Sequence, residues 1–415
     1  MKKKKKKWCR KRDWITLILV KIIMIPYFFI KMGFRFRFTR LRLDRPYLVL
    51  CNHQTFWDPG FLTMMYNRPI HFMATDNLFT NGFGSKLLTF FFGPIPKRKQ
   101  GGDIQAVRAA LKIASEGGVV GVFPEGSTTY DGRPTSIDMG IAQLARKMKA
   151  DLALCNIEGG YGSDPRWAAK TRWGYLTCRQ VQVLTADEIA GMTDEELHAI
   201  IVEKLAVTPP PYGHRYVSKK RAESIESAVY ICPKCGAVST IVSSGTGFRC
   251  TACGLTGTYN EDLTFTFDDS SVKITLMSEW MDMQKEHVAR VVTDYDRYIF
   301  EDDGVRFTIS DRSIGKRVIL GIGYLRLDNN AVSFSMSNGS ERTLELSTID
   351  IVSPVSGRKL IISTRENSYF LIGGKGFNPY KYAQAIYYLK GEGIKEIKYT
   401  ARRILSNGRQ KQTHA

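Results

Sequence analysis

Residues 47–62 read YLVLCNHQTFWDPGFL. The first five are an unbroken apolar run, the pattern of a strand buried on both faces rather than one that alternates toward water. The run ends at Asn52 and His53. Five residues beyond the histidine, Asp58 precedes Pro59, which reads as a helix N-cap followed by proline at the first helical position. The stretch is therefore a strand–turn–helix unit with ionisable groups at the strand's carboxyl end, where open α/β sheets place their chemistry. A turn of this length can fold Asp58 back onto His53. The carboxylate would then orient the ring and stabilise its charged form, leaving the other nitrogen to take a proton from a hydroxyl. The alternative is a capping aspartate beside an unrelated histidine. No serine or cysteine nucleophile stands nearby, since Cys51 belongs to the strand core, so the substrate's own hydroxyl is the expected nucleophile. His71, His198, His214, His287 and His414 have no comparable setting and read as structural or surface residues.

From Pro46 to about Val217 the pattern continues as α/β alternation. Further strands are expected at PIHFMA, GGVVGVFPEG and ADLALCNIEGG, and helices at PGFLTMMY, SKLLTFFFG, GGDIQAVRAALKIASEG and MGIAQLARKMKA. In AVRAALKIA apolar residues recur every three or four positions, as one buried helix face requires. Two more stretches carry chemistry. GPIPKRKQGGD places Lys97, Arg98 and Lys99 after a rigid Gly-Pro-x-Pro turn, a clustered cationic loop suited to a phosphate, although such loops are often simply solvated. GVFPEGSTTYDGRP delivers Glu125 and Gly126 at a strand exit, a carboxylate that can accept hydrogen bonds and a glycine that permits close backbone approach; an ordinary strand-to-turn junction is the alternative.

Together these stretches resemble the glycerolipid acyltransferases. NHQTFWD matches that family's N-H-x4-D motif, GPIPKRK its G-x-I-P-x-x-R/K loop, and FPEGS its F-P-E-G-T/S motif, in the family's order. The resemblance implies that His53 is the general base and Asp58 its orienting partner. It further implies that Asn52, Lys97, Arg98, Lys99, Glu125, Gly126 and Ser127 contact the acceptor. The implied reaction is attack of a glycerol hydroxyl on an acyl thioester, from acyl-CoA or acyl carrier protein. The implied acceptor is 1-acylglycerol-3-phosphate, giving phosphatidic acid, with another lysophospholipid or a glycolipid as alternatives. A non-catalytic membrane adaptor is the rival from a different class. Two departures bear on the acceptor: Thr75 and Asp76 stand where family members often carry a lysine, and LALCNIEGGYGSDPRW lacks the family's proline-centred fourth motif.

The 415-residue chain carries a formal charge of +20. Residues 1–45 hold sixteen Lys and Arg against two Asp, so most of the excess is local. This favours an anionic bilayer surface over a globally basic nucleic-acid binder. The leader MKKKKKKWCRKR precedes an apolar run, Trp14–Ile30. As a helix, seventeen residues measure about 26 Å, short of the roughly 30 Å hydrocarbon core. Lys21 interrupts the run and Pro26 would kink it. No small-residue cleavage site follows, so the segment is not read as a signal peptide. It is expected to lie in the membrane interface, with Trp8, Trp14 and Tyr27 at headgroup level and the lysines on anionic lipid, at the cytoplasmic face of the cell membrane; a true span is the alternative.

Eight cysteines include the pattern C-x2-C-x14-C-x2-C: Cys232, Cys235, Cys250 and Cys253, with glycine after each pair. Two thiolate knuckles of this spacing resemble a zinc ribbon holding a structural Zn2+, with two local disulfides as the alternative. The intervening AVSTIVSSGTGFR has little basic or aromatic density, so no nucleic acid is expected. Beyond Leu263, short alternating segments with NG, DNN and SGR turns close in one helix, NPYKYAQAIYYLKG. This resembles the pleckstrin-homology-like fold. The expected organisation is a basic leader and membrane helix over 1–45, an α/β acyltransferase domain over 46–217, a linker over 218–228 and a zinc ribbon over 229–262. A mostly-β, pleckstrin-homology-like domain with one terminal helix follows over 263–392, and a polar tail over 393–415.

Overall fold

A computed structural model describes residues 8–9, 11–75, 94–97, 104–210, 212–292, 298–311, 317–355, 358–374 and 376–391. The expected helix SKLLTFFFG, Arg98, Lys99, most of the basic leader and the polar tail lie outside the described residues.

The site sits on a seven-stranded sheet. Its strands are β1 (Phe34–Phe36), β2 (Tyr47–Cys51), β3 (Ile70–Thr75), β4 (Ile95–Lys97), β5 (Val119–Val122), β6 (Asp151–Glu158) and β8 (Leu176–Leu184), and the short β7 (Trp173–Gly174) lies apart from it. Their order is β1-β8-β6-β2-β5-β3-β4. The strand β2 lies at the centre, parallel to both neighbours: Leu50 is level with Val122 of β5 and Leu154 of β6. The strands β3, β4 and β5 are mutually parallel as well. The carboxyl ends of β2 through β6 therefore share one edge.

Both faces of the sheet are covered, which is why β2 reads as continuous apolar sequence. Leu48 and Leu50 face one core with Ala110, Ile113, Leu144 and Ile201. Tyr47, Val49 and Cys51 face another with Phe28, Phe61, Leu62 and Met65. The helices are α1 (Lys11–Met32), α2 (Asp58–Met65), α3 (Ile104–Ser115), α4 (Gly140–Met148), α5 (Gly160–Ser163), α6 (Ala186–Ala190) and α7 (Asp194–Leu205). Both α6 and α7 start with a reciprocal Thr…Glu capping box, Thr185 with Glu188 and Thr193 with Glu196. Such boxes are legible in TADE and TDEE, and both helices come in addition to those expected from the α/β alternation.

Several boundaries differ from expectation. The sheet begins inside the segment assigned to the leader, because β1 pairs with β8. The helix α1 runs for 22 residues, not seventeen; at 1.5 Å per residue it is about 33 Å long, enough to cross a bilayer by length and composition. Length therefore does not separate lying from spanning. One side of α1 packs on the domain: Leu17, Val20, Phe28 and Met32 are buried, whereas Ile15, Ile18, Leu19, Ile22, Ile23, Phe29 and Ile30 are 51–68% exposed. Phe28 meets Phe61 at 4.8 Å and Trp57 at 5.5 Å. Burying such a ring contributes about 1.5–3 kcal/mol to holding the helix down. Trp8 is no headgroup anchor: its backbone N–H donates to Glu116 (2.9 Å) and its ring packs edge-on against His71.

The segment over 212–228, which takes in the expected linker at 218–228, is packed against the rest of the chain, with Ala222, Ile225 and Ala228 fully buried. Tyr216 is fully buried, donates to Tyr175 O (2.9 Å) and begins β9 (Tyr216–Val217), which pairs with β7. The cysteine module is a four-stranded antiparallel sheet of Ile241–Ser244, Gly247–Cys250, Thr256–Tyr259 and Phe265–Phe267, so it extends past residue 262. An unanticipated helix, α8 (Met277–Val291), comes next, burying Met277, Trp280, Met281, Gln284 and Val288. A second seven-stranded, fully antiparallel sheet spans Phe300 to Ile372 and is closed by α9 (Pro379–Leu389), which Asn378 caps by accepting Lys381 N–H at 2.9 Å. One continuous core joins Tyr161 and Trp167, next to the first sheet, to the cysteine module and to this second sheet.

Candidate active site

His53 stands one residue beyond Asn52 at the carboxyl end of β2. Its Nδ1 lies 2.8 Å from Asp58 Oδ2. Asp58 is fully buried, and four groups donate to or share its two oxygens. Oδ2 meets the His53 ring and accepts the backbone N–H groups of Gln54 (2.7 Å) and Thr55 (3.0 Å), while Oδ1 accepts the Thr55 hydroxyl (2.8 Å). Asp58 was expected as the N-cap of α2. Instead it is the first helical residue, and its carboxylate turns back onto the loop before the helix, where it closes the turn and holds the ring. With Nδ1–H donated to a carboxylate, the Nε2 lone pair is left as acceptor. Among the described residues no hydrogen bond engages Nε2, and the imidazole is 20% exposed. One ring face stacks on Phe123 at 4.4 Å. Behind Phe123 lies Phe72, also stacked. Phe72 fits because Gly121 has no side chain, since a Cβ there would come within 2.5 Å of its ring.

Glu125 sits at the exit of β5. Its Oε1 accepts the backbone N–H of His53 (3.0 Å), and its Oε2 accepts the N–H (3.1 Å) and hydroxyl (3.0 Å) of Thr135. Both oxygens are thus engaged with the protein, and Glu125 ties the His53 turn to the loop over 126–135. Burial raises its carboxyl above the ordinary value, although the hydrogen bonds and His53 oppose that shift. Gly126 is exposed with φ +73° and has no neighbour within 4 Å of a notional Cβ, so its turn conformation, not crowding, calls for glycine. Ser127 beside it is also exposed.

Asn52, expected at the acceptor, is fully buried and points elsewhere. It donates to Ile157 O (2.9 Å) and accepts Ile157 N–H (2.7 Å), lacing the end of β2 to β6, because a buried amide must satisfy both its ends. Lys97 ends β4 on the same sheet edge as His53. Three strand spacings separate β4 from β2, roughly 14 Å. Gln54, Thr55, Phe123, Thr129 and Thr135 were not expected at the site, yet each contacts or braces the His53 turn: Gln54 Oε1 accepts Tyr161 N–H at 3.2 Å, and Thr129 N–H reaches His53 O at 3.4 Å. The x positions of N-H-x4-D, the Phe of F-P-E-G and the residues after that motif were the available signal.

Away from the sheet, Cys232, Cys235, Cys250 and Cys253 lie together, with every sulfur within 4.8 Å of the others. Cys232 and Cys253 are 3.7 Å apart, Cys235 and Cys250 3.8 Å, and none is in a disulfide. Gly236 N–H donates to Cys232 O and Gly254 N–H to Cys250 O, forming two equivalent knuckles. The cluster could hold one metal ion.

Residues 34–157 match the family profile described as Acyltransferase. Over 123 residues the chain is 28% identical to the 1-acyl-sn-glycerol-3-phosphate acyltransferase of Bacillus subtilis (strain 168), a match covering 29% of this chain and 59% of that relative. The chain therefore spans about three fifths of the curated relative's length. Among solved structures it is similar to the 1-acyl-sn-glycerophosphate acyltransferase of Thermotoga maritima, at 20% identity and a TM-score of 0.39, over 47% of this chain and 80% of that one. The acyltransferase-family match takes in His53, Asp58 and Glu125 and stops at Ile157, short of the cysteine cluster and the C-terminal sheet.

Proposed function

We propose that the chain is a membrane-associated acyltransferase that moves a fatty acyl group from an acyl thioester to a hydroxyl of a glycerolipid, with 1-acylglycerol-3-phosphate as acceptor and phosphatidic acid as product. The observation that carries this reading is the Nδ1–Asp58 hydrogen bond, which leaves Nε2 of a partly exposed His53 as the proton acceptor. In the proposed reaction Nε2 takes the acceptor's hydroxyl proton as the oxygen attacks the thioester carbonyl. The tetrahedral intermediate expels the thiolate, which takes that proton from the imidazolium and leaves as thiol. Buried Asp58 stabilises the transient imidazolium and fixes the tautomer. Glu125 acts through the His53 backbone. Lys97, Arg98 and Lys99 hold the acceptor's phosphate. The acyl donor is acyl-CoA or acyl carrier protein. The name of the Bacillus subtilis relative supports the choice of acceptor.

The helix α1 serves as an interfacial anchor on the cytoplasmic face, one side on the domain and its exposed apolar side in lipid. The cysteine cluster is proposed as a zinc ribbon. A tetrahedral ion with Zn–S of about 2.3 Å needs sulfurs about 3.8 Å apart, close to the Cys232–Cys253 and Cys235–Cys250 separations of 3.7 and 3.8 Å. Bound there, the ion would supply structure only, since four thiolates leave no open position. The antiparallel sheet closed by α9 is proposed as pleckstrin-homology-like. The test is lipid-product analysis of purified full-length protein offered several lysolipids with acyl-CoA and with acyl carrier protein. Phosphatidic acid should form from 1-acylglycerol-3-phosphate, and His53→Ala should reduce turnover by at least about 10²-fold. A folded His53→Ala protein that turns over normally would end the assignment.

A further inference from the structure

The loop over 126–135 holds the His53 backbone at both of its ends. Thr129 N–H reaches His53 O, and Thr135 engages Glu125, which itself accepts His53 N–H. The middle of that loop belongs to the C-terminal half. Arg133 donates through Nε to Asp131 (2.7 Å) and through Nη1 and Nη2 to the two oxygens of Asp282 (both 2.9 Å), a forked pair with α8. Tyr130 packs on Tyr380 at 4.4 Å. Arg166 lies over the Tyr130 ring and donates to Pro354 O in the second sheet. The helix carrying Asp282 is itself fixed beside the cysteine module. Trp280 Nε1 donates to Ile231 O (2.8 Å), and Gln284 accepts Tyr230 N–H (2.5 Å) and donates to Ala228 O (3.2 Å). Bidentate guanidinium–carboxylate pairs fix orientation as well as distance.

We infer that Asp282, through Arg133, is a positioning residue for His53: the C-terminal half clamps the loop that sets the base, so acyl transfer depends on a helix far outside the matched family segment. The inference rests on His53 acting as the base. It deepens that reading by giving the C-terminal half a part in the same site.

The test uses full-length Asp282→Ala, the milder Asp282→Asn, Arg133→Ala, and the double variant Arg133→Ala/Asp282→Ala. Two readouts are followed. The first is acyl transfer to 1-acylglycerol-3-phosphate in mixed micelles. Each single alanine variant should lower kcat about 10-fold to 10²-fold, the cost of a misplaced catalytic group, with KM nearly unchanged. The double variant should be no worse than the poorer single one, since the two residues act as a unit. The second readout is hydrogen–deuterium exchange of residues 52–56, which needs no activity. Exchange there should quicken in every variant while residues 232–253 stay protected. Wild-type exchange across 52–56 in Asp282→Ala and Asp282→Asn, or additive losses in the double variant, overturns the inference. An inactive wild type would instead overturn the proposed reaction, with the exchange experiment still deciding whether α8 holds the His53 turn.

Discussion

Asp58→Asn separates the charge of Asp58 from its geometry. Asp58 Oδ2 meets three donors, His53 Nδ1–H and two backbone N–H groups, whereas Oδ1 meets only the Thr55 hydroxyl. An asparagine oxygen can occupy the Oδ2 position and keep all three. Its NH2 then faces the Thr55 hydroxyl, which can rotate to accept. The turn should survive, and the loss should be electrostatic: a neutral amide no longer stabilises the imidazolium in a fully buried setting. Turnover should fall about 10²- to 10⁴-fold, the range for a positioned acid–base group, with KM little changed and the melting temperature close to wild type. Asp58→Ala differs in kind. It leaves two buried backbone N–H groups without acceptors, at about 1–3 kcal/mol each, so roughly 2–6 kcal/mol of a total stability of about 5–15 kcal/mol is lost along with activity. Steady-state acyl transfer alongside thermal melts of both variants provides the assay. If Asp58→Asn keeps more than a tenth of wild-type kcat, or melts as low as Asp58→Ala, the division into charge and scaffold is wrong.

Three further outcomes are expected. Metal analysis should find one zinc per chain, and Cys250→Ser/Cys253→Ser should abolish it and destabilise the module; a metal-free protein with paired disulfides refutes this. Removing residues 1–12 should weaken binding to anionic vesicles and make it insensitive to salt, while removing 14–32 should release the protein from neutral vesicles too, as sedimentation across salt concentrations will tell. Burial, and then the neighbouring charge of Asp58, raises the Asp164 carboxyl to about 6. A carboxyl raised in the folded state contributes stability below its unfolded value near 4, and that contribution is lost as pH climbs through about 6. Asp164→Asn should therefore come close to wild type near pH 4 and exceed it, by on the order of 3 kcal/mol, above pH 6.5; equal denaturation midpoints at both pH values would refute the assignment.

What could be read in the sequence follows from how far apart along the chain the partners lie. His53 and Asp58 are five residues apart, so strand, turn and helix could be read from one short stretch, as could the two cysteine knuckles. The helix α8 was equally local. Met277, Trp280, Met281, Gln284 and Val288 recur at intervals of three and four, but the charged residues between them and the β-rich surroundings masked a helix that was legible. Asn52 misled for the opposite reason. The family resemblance implied a substrate contact for it, whereas its partner is Ile157, 105 residues away on β6. The Glu125 contact to His53 spans 72 residues and the Arg133 contact to Asp282 spans 149. Neither leaves any periodicity, because a hydrogen bond between loops depends on where the sheets put them. The same logic explains why the chemistry was easier to read than its control. A proton acceptor and its orienting carboxylate must be rigid relative to each other, which favours one short turn. The groups that hold that turn can come from any surface packed against it: Glu125 and Thr129 reach it from the loop after β5, and Arg133 of the same loop pairs with Asp282 of α8.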